Sequence, residues 1–226
     1  MHQPPPPFDA TAARRMREAL NMTWAHVAHG MWAAYGLRVP PATVAAWENG
    51  ESAPGTAELA ALAGALWCAP GDLMAAPTNL REHRMARGLA ADDVARRIGM
   101  EPAVYQEAER TGRWRGGERH DALLGEVLGL SLPEQFRVTG RGERLAEMLR
   151  GAVTTRWQAY ARPVARLVPL PRKRIDTALE RLHAEYQSRM VASLNWGEGG
   201  SAAASGDSGK RFLGELVDRF WEQVLP

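Results

Sequence analysis

A phrase near the start of the chain returns before its middle. "MTWAHVAHGM" (22–31) is echoed by "LAADDVARRIGM" (89–100), with Val27-Ala28 falling on Val94-Ala95. Glu48-Asn49-Gly50 is matched in the same way by "ERTG", Glu109 to Gly112, and "LAALAGALWCAPGDLM" by "DALLGEVLGLSLPEQF". Each copy supplies about 55–65 residues and four to five short helices, so two related helical modules in tandem explain the pattern better than one irregular domain.

Strand signals are nearly missing: no strict alternation persists, and Val, Ile and Thr never cluster. Periods of three to four residues predict helices at 10–20, 23–34, 41–49, 56–66, 80–88, 91–98, 102–110, 118–128, 141–161, 172–194 and 210–224. The fold class is therefore all-α, and 226 residues suffice to bury a sizeable core. The opening "MHQPPPPFDA" lacks the positive region and apolar core of a signal peptide and reads as a mobile, proline-rich leader over 1–9. Two modules follow, at 10–78 and 79–136, and then a basic helical region at 137–196. A Gly/Ser-rich linker at 197–209 and an amphipathic helix at 210–226 complete the division.

No apolar run approaches the roughly 20 residues needed to span a bilayer, so no membrane role is expected. The single Cys68 excludes an internal disulfide framework and suits a reducing cytoplasm. It is expected to pack as a small hydrophobe after Trp67. Charge is uneven: residues 1–79 carry four Arg against six acids, and 80–136 nine Arg against ten acids. Residues 137–226 carry fifteen basic groups against ten acids, and Arg137 to Arg174 opposes ten bases with only Glu143 and Glu147. Arg141, Arg144 and Arg150, with Arg172-Lys173-Arg174 beyond, could cover several phosphates. A solvated surface in an arginine-biased proteome accounts for the same charges.

These modules resemble the lambda-repressor/Cro-like (XRE-type) helix-turn-helix family over about residues 12–136. The first copy carries the family's ending in "TVAAWENGESAPG", with a proline after the Glu-x-Gly stop. The second, "LREHRMARGLAADDVARRIGMEPAVYQEAERTG", sets Ala95 thirteen positions before Ala108. The corresponding separation in the first copy, Ala28 to Trp47, is six longer, so "WAAYGLRVPP" holds an extended turn. The resemblance implies a cytoplasmic, nucleoid-associated transcriptional regulator of the kind found in GC-rich bacteria, with double-stranded DNA as partner and no cofactor.

The physics of a groove reader agrees. Pro40-Pro41 can open a helix, since proline is tolerated in the first turn. Val44 and Trp47 would face the core, and Asn49-Gly50 would end the helix in the left-handed conformation. Pro41, Ala42, Thr43, Ala45 and Ala46 would then face the groove, with Thr43 and Asn49 the polar candidates. Ala and Pro make no bidentate bonds to bases, so reading would use methyl contacts, backbone positioning or DNA shape. Thr23 should cap the preceding helix, whose first amides can hold a phosphate. Trp24 stands where the family commonly has Gln.

The second module is expected to use Gln106 on adenine and Arg113 and Arg115 on phosphates, although Glu101 and Glu107 oppose docking. A structural or dimerising copy is the alternative there. For the whole chain the alternative is a protein-interaction module of degenerate helix-turn-helix units that docks another regulator.

Catalysis has little to stand on: there is no P-loop, G-x-S-x-G, H-E-x-x-H or paired-Cys motif. His26 and His29 lack an evident third ligand, so no metal is expected. In 210–224, Phe212, Leu213, Leu216, Val217, Phe220, Trp221 and Val224 form one apolar face that needs a cover, either the chain's own surface or the same helix of a second copy in a homodimer. The stripe Ile175, Leu179, Leu182, Tyr186 and Met190 reads as core or dimer seam.

Overall fold

The computed structural model describes residues 5–195 and 209–225, and among them it is helical with one isolated antiparallel bridge, Phe8 to Met74. The chain divides into two compact units, 1–139 and 140–226.

In the first unit, α1, α2 and α4 start where a polar side chain satisfies a free amide, and α3 starts on proline. Asp9 accepts from the Ala12 amide at 2.9 Å to begin α1 (Ala10–Ala19). Thr23 caps α2 (Trp24–Tyr35) by accepting from the His26 amide at 3.2 Å, and Thr23 N–H donates back to His26 Nδ1 at 3.3 Å. Gly36, at φ +67°, ends α2 in the left-handed region. Pro40 and Pro41 then fix the entry to α3 (Pro41–Glu48). Asn49 itself stays right-handed at φ −87°, and Gly50, at φ +73°, supplies the left-handed stop alone. Helix α4 (Thr56–Ala65) opens with Glu58 accepting from the Gly55 amide at 2.7 Å.

Val27, Met31, Val44, Trp47, Leu59 and Leu62 make the core of these helices. A 3₁₀ turn, Pro70–Leu73, adds Leu73, and Met74 after it, to the same core. There the leader departs from the expected mobile chain. Asp9 N–H donates to Leu73 O and Ala75 N–H to Pro7 O, both at 2.9 Å, so residues 7–9 are tied down.

A second core gathers Leu80, Val94, Ile98, Tyr105, Leu124 and Leu128. It is built from α5 (Leu80–Ala86), α6 (Ala91–Ile98), α7 (Pro102–Thr111) and α8 (Glu118–Leu128). Helix α9 (Leu132–Val138) was not anticipated, although "SLPE" carries its capping signature: Ser131 N–H and Oγ both donate to Glu134, at 2.7 and 2.6 Å.

The second unit packs α10 (Arg141–Thr154), α11 (Trp157–Leu167), α12 (Arg172–Asn195) and α13 (Leu216–Val224), with residues 209–214 also helical. The single helix expected over 141–161 is two. Thr154 and Thr155 turn their hydroxyls back on the Arg150 and Gly151 carbonyls, at 2.7 and 2.6 Å, and Thr155 leaves helical geometry at φ −126°, ψ −109°. Such bonds compete with the helix at its end.

The apolar C-terminal face is covered by its own chain. Phe212, Leu216, Phe220, Trp221 and Val224 are all buried, and α13 packs on α10 and α12. The ring of Phe212 lies 5.2 Å from both the Arg189 and Arg219 guanidiniums, and Arg219 bonds Glu185 at 3.1 Å. From the α12 stripe, Ile175, Leu179 and Leu182 are core, whereas Met190 lies near the surface. The linker at 197–209 lies, apart from Gly209, outside the described residues.

Cys68 is half-buried, with its thiol donating to Ala63 O at 3.6 Å. Burial, and then the charge of Asp72, push the thiol up to about 11. Alkylation by iodoacetamide at pH 8 should therefore run about a hundredfold slower than for an ordinary exposed thiol, since reactivity follows thiolate fraction. A rate equal to that of free cysteine would contradict this.

Candidate nucleic-acid interface

The end of α3 is held by one carboxylate. Glu48, 6% exposed, accepts from Arg17 Nε at 2.7 Å and Nη2 at 2.9 Å, and from the Trp24 indole N–H at 3.0 Å. Arg17 also donates to Met22 O at 2.9 Å and lies 5.6 Å from the Trp24 ring. Arg14 donates to Glu48 O at 2.9 Å and to Asn49 Oδ1 at 2.8 Å. Residues from α1, α2 and α3 thus meet at one buried charge. The hydrogen bonds from Arg17 to Glu48 hold its guanidinium above its ordinary value.

The same bonds recur farther along. Arg84 donates to Glu109 at 2.6 and 2.9 Å and to Leu89 O at 2.7 Å, five residues ahead, as Arg17 does to Met22 O. Burial opposes the charge of Arg84, but its bonds to Glu109 outweigh burial and raise its pKa. Glu48 and Glu109 are matched in the sequence as the ends of the two copies, but Arg14, Arg17 and Arg84 were not singled out from it. Continuing the Val27-to-Val94 alignment upstream, however, sets Arg17 on Arg84.

Each expected site residue has a definite place. Pro41 and Ala42 are exposed at the start of α3, while Thr43, Ala45 and Ala46 are partly covered. Val44 and Trp47 are buried, as their spacing predicts. Thr23 is exposed and engaged as a cap, and Trp24 offers a ring face while its N–H is held by Glu48. Asn49 is exposed, with its oxygen taken by Arg14 and its amide N–H given to Glu51 at 3.2 Å. No charged side chain other than buried Glu48 stands on α3, so nothing on its outer face repels phosphate.

Helix α7 differs. Gln106 donates to Asp92 at 2.8 Å, Arg110 pairs with Glu107 at 2.6 Å, and Glu101 stands exposed at the helix start. Arg113 and Arg115 are exposed beyond its end. In the second unit, Arg144, Lys173 and Arg174 are exposed, Arg172 pairs with Asp176 at 3.4 Å, and Arg141 donates to Leu167 O at 2.6 Å. Among the described residues no group of three His, Cys, Asp or Glu side chains is placed to hold a metal ion, and no helix is long and apolar enough to cross a membrane.

Residues 14–73 match the family model described as Helix-turn-helix, of the XRE or lambda-repressor-like type. No curated protein and no solved structure matches the chain. The matched segment, which holds the Arg17–Glu48 pair and α3, is an XRE-type helix-turn-helix.

Proposed function

We propose that this chain is a sequence-specific, DNA-binding transcriptional regulator of the cytoplasm, and that α3 is its groove-entering helix. One observation carries the reading: the only acid on α3 is buried against Arg17, which leaves an outer face without repelling charge. Pro41, Ala42 and Thr43 then meet thymine methyls and base edges, while the α2 amides beside Thr23 face phosphate. The exposed Arg144, Lys173 and Arg174 add contacts that carry no sequence information.

The second copy docks protein rather than DNA in this reading, because α7 presents Glu101 and Glu107 and its Gln106 is already tied to Asp92. The recurrence of the Arg–Glu bond supports its treatment as a helix-turn-helix-like unit.

Fluorescence anisotropy with sheared genomic duplex across a salt series tests this. If about five phosphates are neutralised, log K should fall against log[salt] with a slope of about −4 to −5. Thr43→Ala should weaken a preferred site more than random DNA, whereas Arg172→Ala with Arg174→Ala should weaken both alike. No retention of DNA at low salt would favour a module that only docks another regulator.

A further inference from the structure

Between the Pro70–Leu73 turn, α5 and the α8–α9 corner lies a cavity of about 490 Å³, within the range that small-molecule sites occupy. Its walls come from both cores of the first unit. Gly71 is one wall, where a Cβ would sit 2.9 Å from the Ala86 carbonyl oxygen, so the turn and α5 approach too closely for a side chain. Four polar side chains stand around it: Asp72, His83, Arg87 and Glu134.

His83 is the unusual member. It is 6% exposed, and its Nε2 is buried without a hydrogen-bond partner among the described residues. Buried polar atoms are nearly always satisfied, because an orphan forfeits its hydration for nothing. A leucine would fill such a place at less cost. Arg87, four residues on, is held by backbone alone: Nε donates to Leu128 O at 2.8 Å and Nη2 to Gly129 O at 3.2 Å. Asp72 accepts only the Ala69 amide, at 2.9 Å, through Oδ2. Glu134 uses Oε2 for both Ser131 bonds. Oδ1 of Asp72 and Oε1 of Glu134 accept nothing among the described residues, and Arg87 meets no carboxylate there. Asp72 and Arg87 are exposed and Glu134 partly so, which puts these three at the rim and His83 alone in the buried wall.

The charges can be summed. Burial first, reinforced by Arg137 and Arg87 and opposed by Glu134 and Glu82, lowers the His83 pKa and favours a neutral ring. Among the lining residues, Asp72 and Glu134 against Arg87 leave one negative charge in excess.

We propose that this cavity binds a small molecule bearing one carboxylate and two cationic groups, the chemistry of a basic α-amino acid. The carboxylate faces Arg87 and the unpartnered Nε2 of His83, and the two cations face Asp72 and Glu134. Such a ligand carries the one positive charge that the cavity lacks. It would touch both cores and tie them together. The site does not depend on the DNA reading and is tested without DNA.

Isothermal titration of the full chain with L-arginine and L-lysine is the experiment. Agmatine, which lacks the carboxylate, and L-norleucine, which lacks the second cation, serve as comparators. Saturable heat is expected for arginine or lysine, with both comparators at least about tenfold weaker. Asp72→Asn keeps the cap on Ala69 and should weaken binding about tenfold. His83→Leu should raise the melting temperature by about 2–4 °C without ligand and yet lose the heat of binding. The proposal is overturned if neither amino acid gives saturable heat up to about 10 mM, if either comparator binds equally, or if His83→Leu binds unchanged.

Discussion

Glu48→Ala should remove about 3–5 kcal/mol of stability from the helix-turn-helix segment, because it strands a buried cation. Arg17 has a side chain only 12% exposed and loses both of its bonds to the carboxylate. Trp24 loses its acceptor at the same time, so α1 and α2 each lose their side-chain bonds to Glu48, and the Arg14 bonds to Glu48 O and Asn49 with the shared core remain. Denaturant unfolding followed by tryptophan fluorescence checks the magnitude. The paired replacement Arg17→Met with Glu48→Leu should be far milder, since it removes both charges and keeps apolar volume. A loss below about 1 kcal/mol for Glu48→Ala would mean that the pair is solvated and does not hold α3.

The second large effect lies at the C-terminus. Phe220→Asp with Trp221→Asp places two carboxylates where the native rings are 0% and 5% exposed. Losing one buried aromatic costs about 3–5 kcal/mol, before any penalty for a buried charge. Two such losses rival the whole stability of a small domain, about 5–15 kcal/mol. Calorimetry should therefore lose the transition of unit 140–226 and keep that of unit 1–139, with no fall in mass by light scattering. Unchanged melting with a halved mass would instead make α13 a seam between two copies.

The contrast between these two sites explains what the sequence can carry. Caps and periodicity are local, so Thr23 at its helix start, Val44 and Trp47 inward and Gly50 as a stop were all legible. The α10–α11 break was not. It depends on two adjacent threonine hydroxyls choosing carbonyls one turn back, a choice that composition does not declare. The apolar face at 210–224 announced that something must cover it, but amphipathicity has no address. Only packing assigns α10 and α12 as the cover. Gln106 illustrates the limit at the candidate interface. From its position on α7 it is a free amide, and its bond to Asp92 exists only once α6 and α7 meet. Arg17 and Glu48 are farther apart still, and only the repeat hints at their partnership.

That partnership has a consequence for how the module can change. Arg17 and Glu48 lie 31 residues apart, while Arg84 and Glu109, bonded in the same way, lie 25 apart. Of the six extra residues, four lengthen α2, which has 12 residues against 8 in α6, and two lengthen the connection to α3, yet the clamp keeps the same bonds. Contour length and spatial separation are thus decoupled at this turn, and lengthening a loop adds only a slowly growing closure entropy, about 0.6 kcal/mol per doubling. The stretch between Gly36 and Pro40 is a graft point where a peptide tag or a small binding loop can be inserted beside α3 while the helix keeps its bearing.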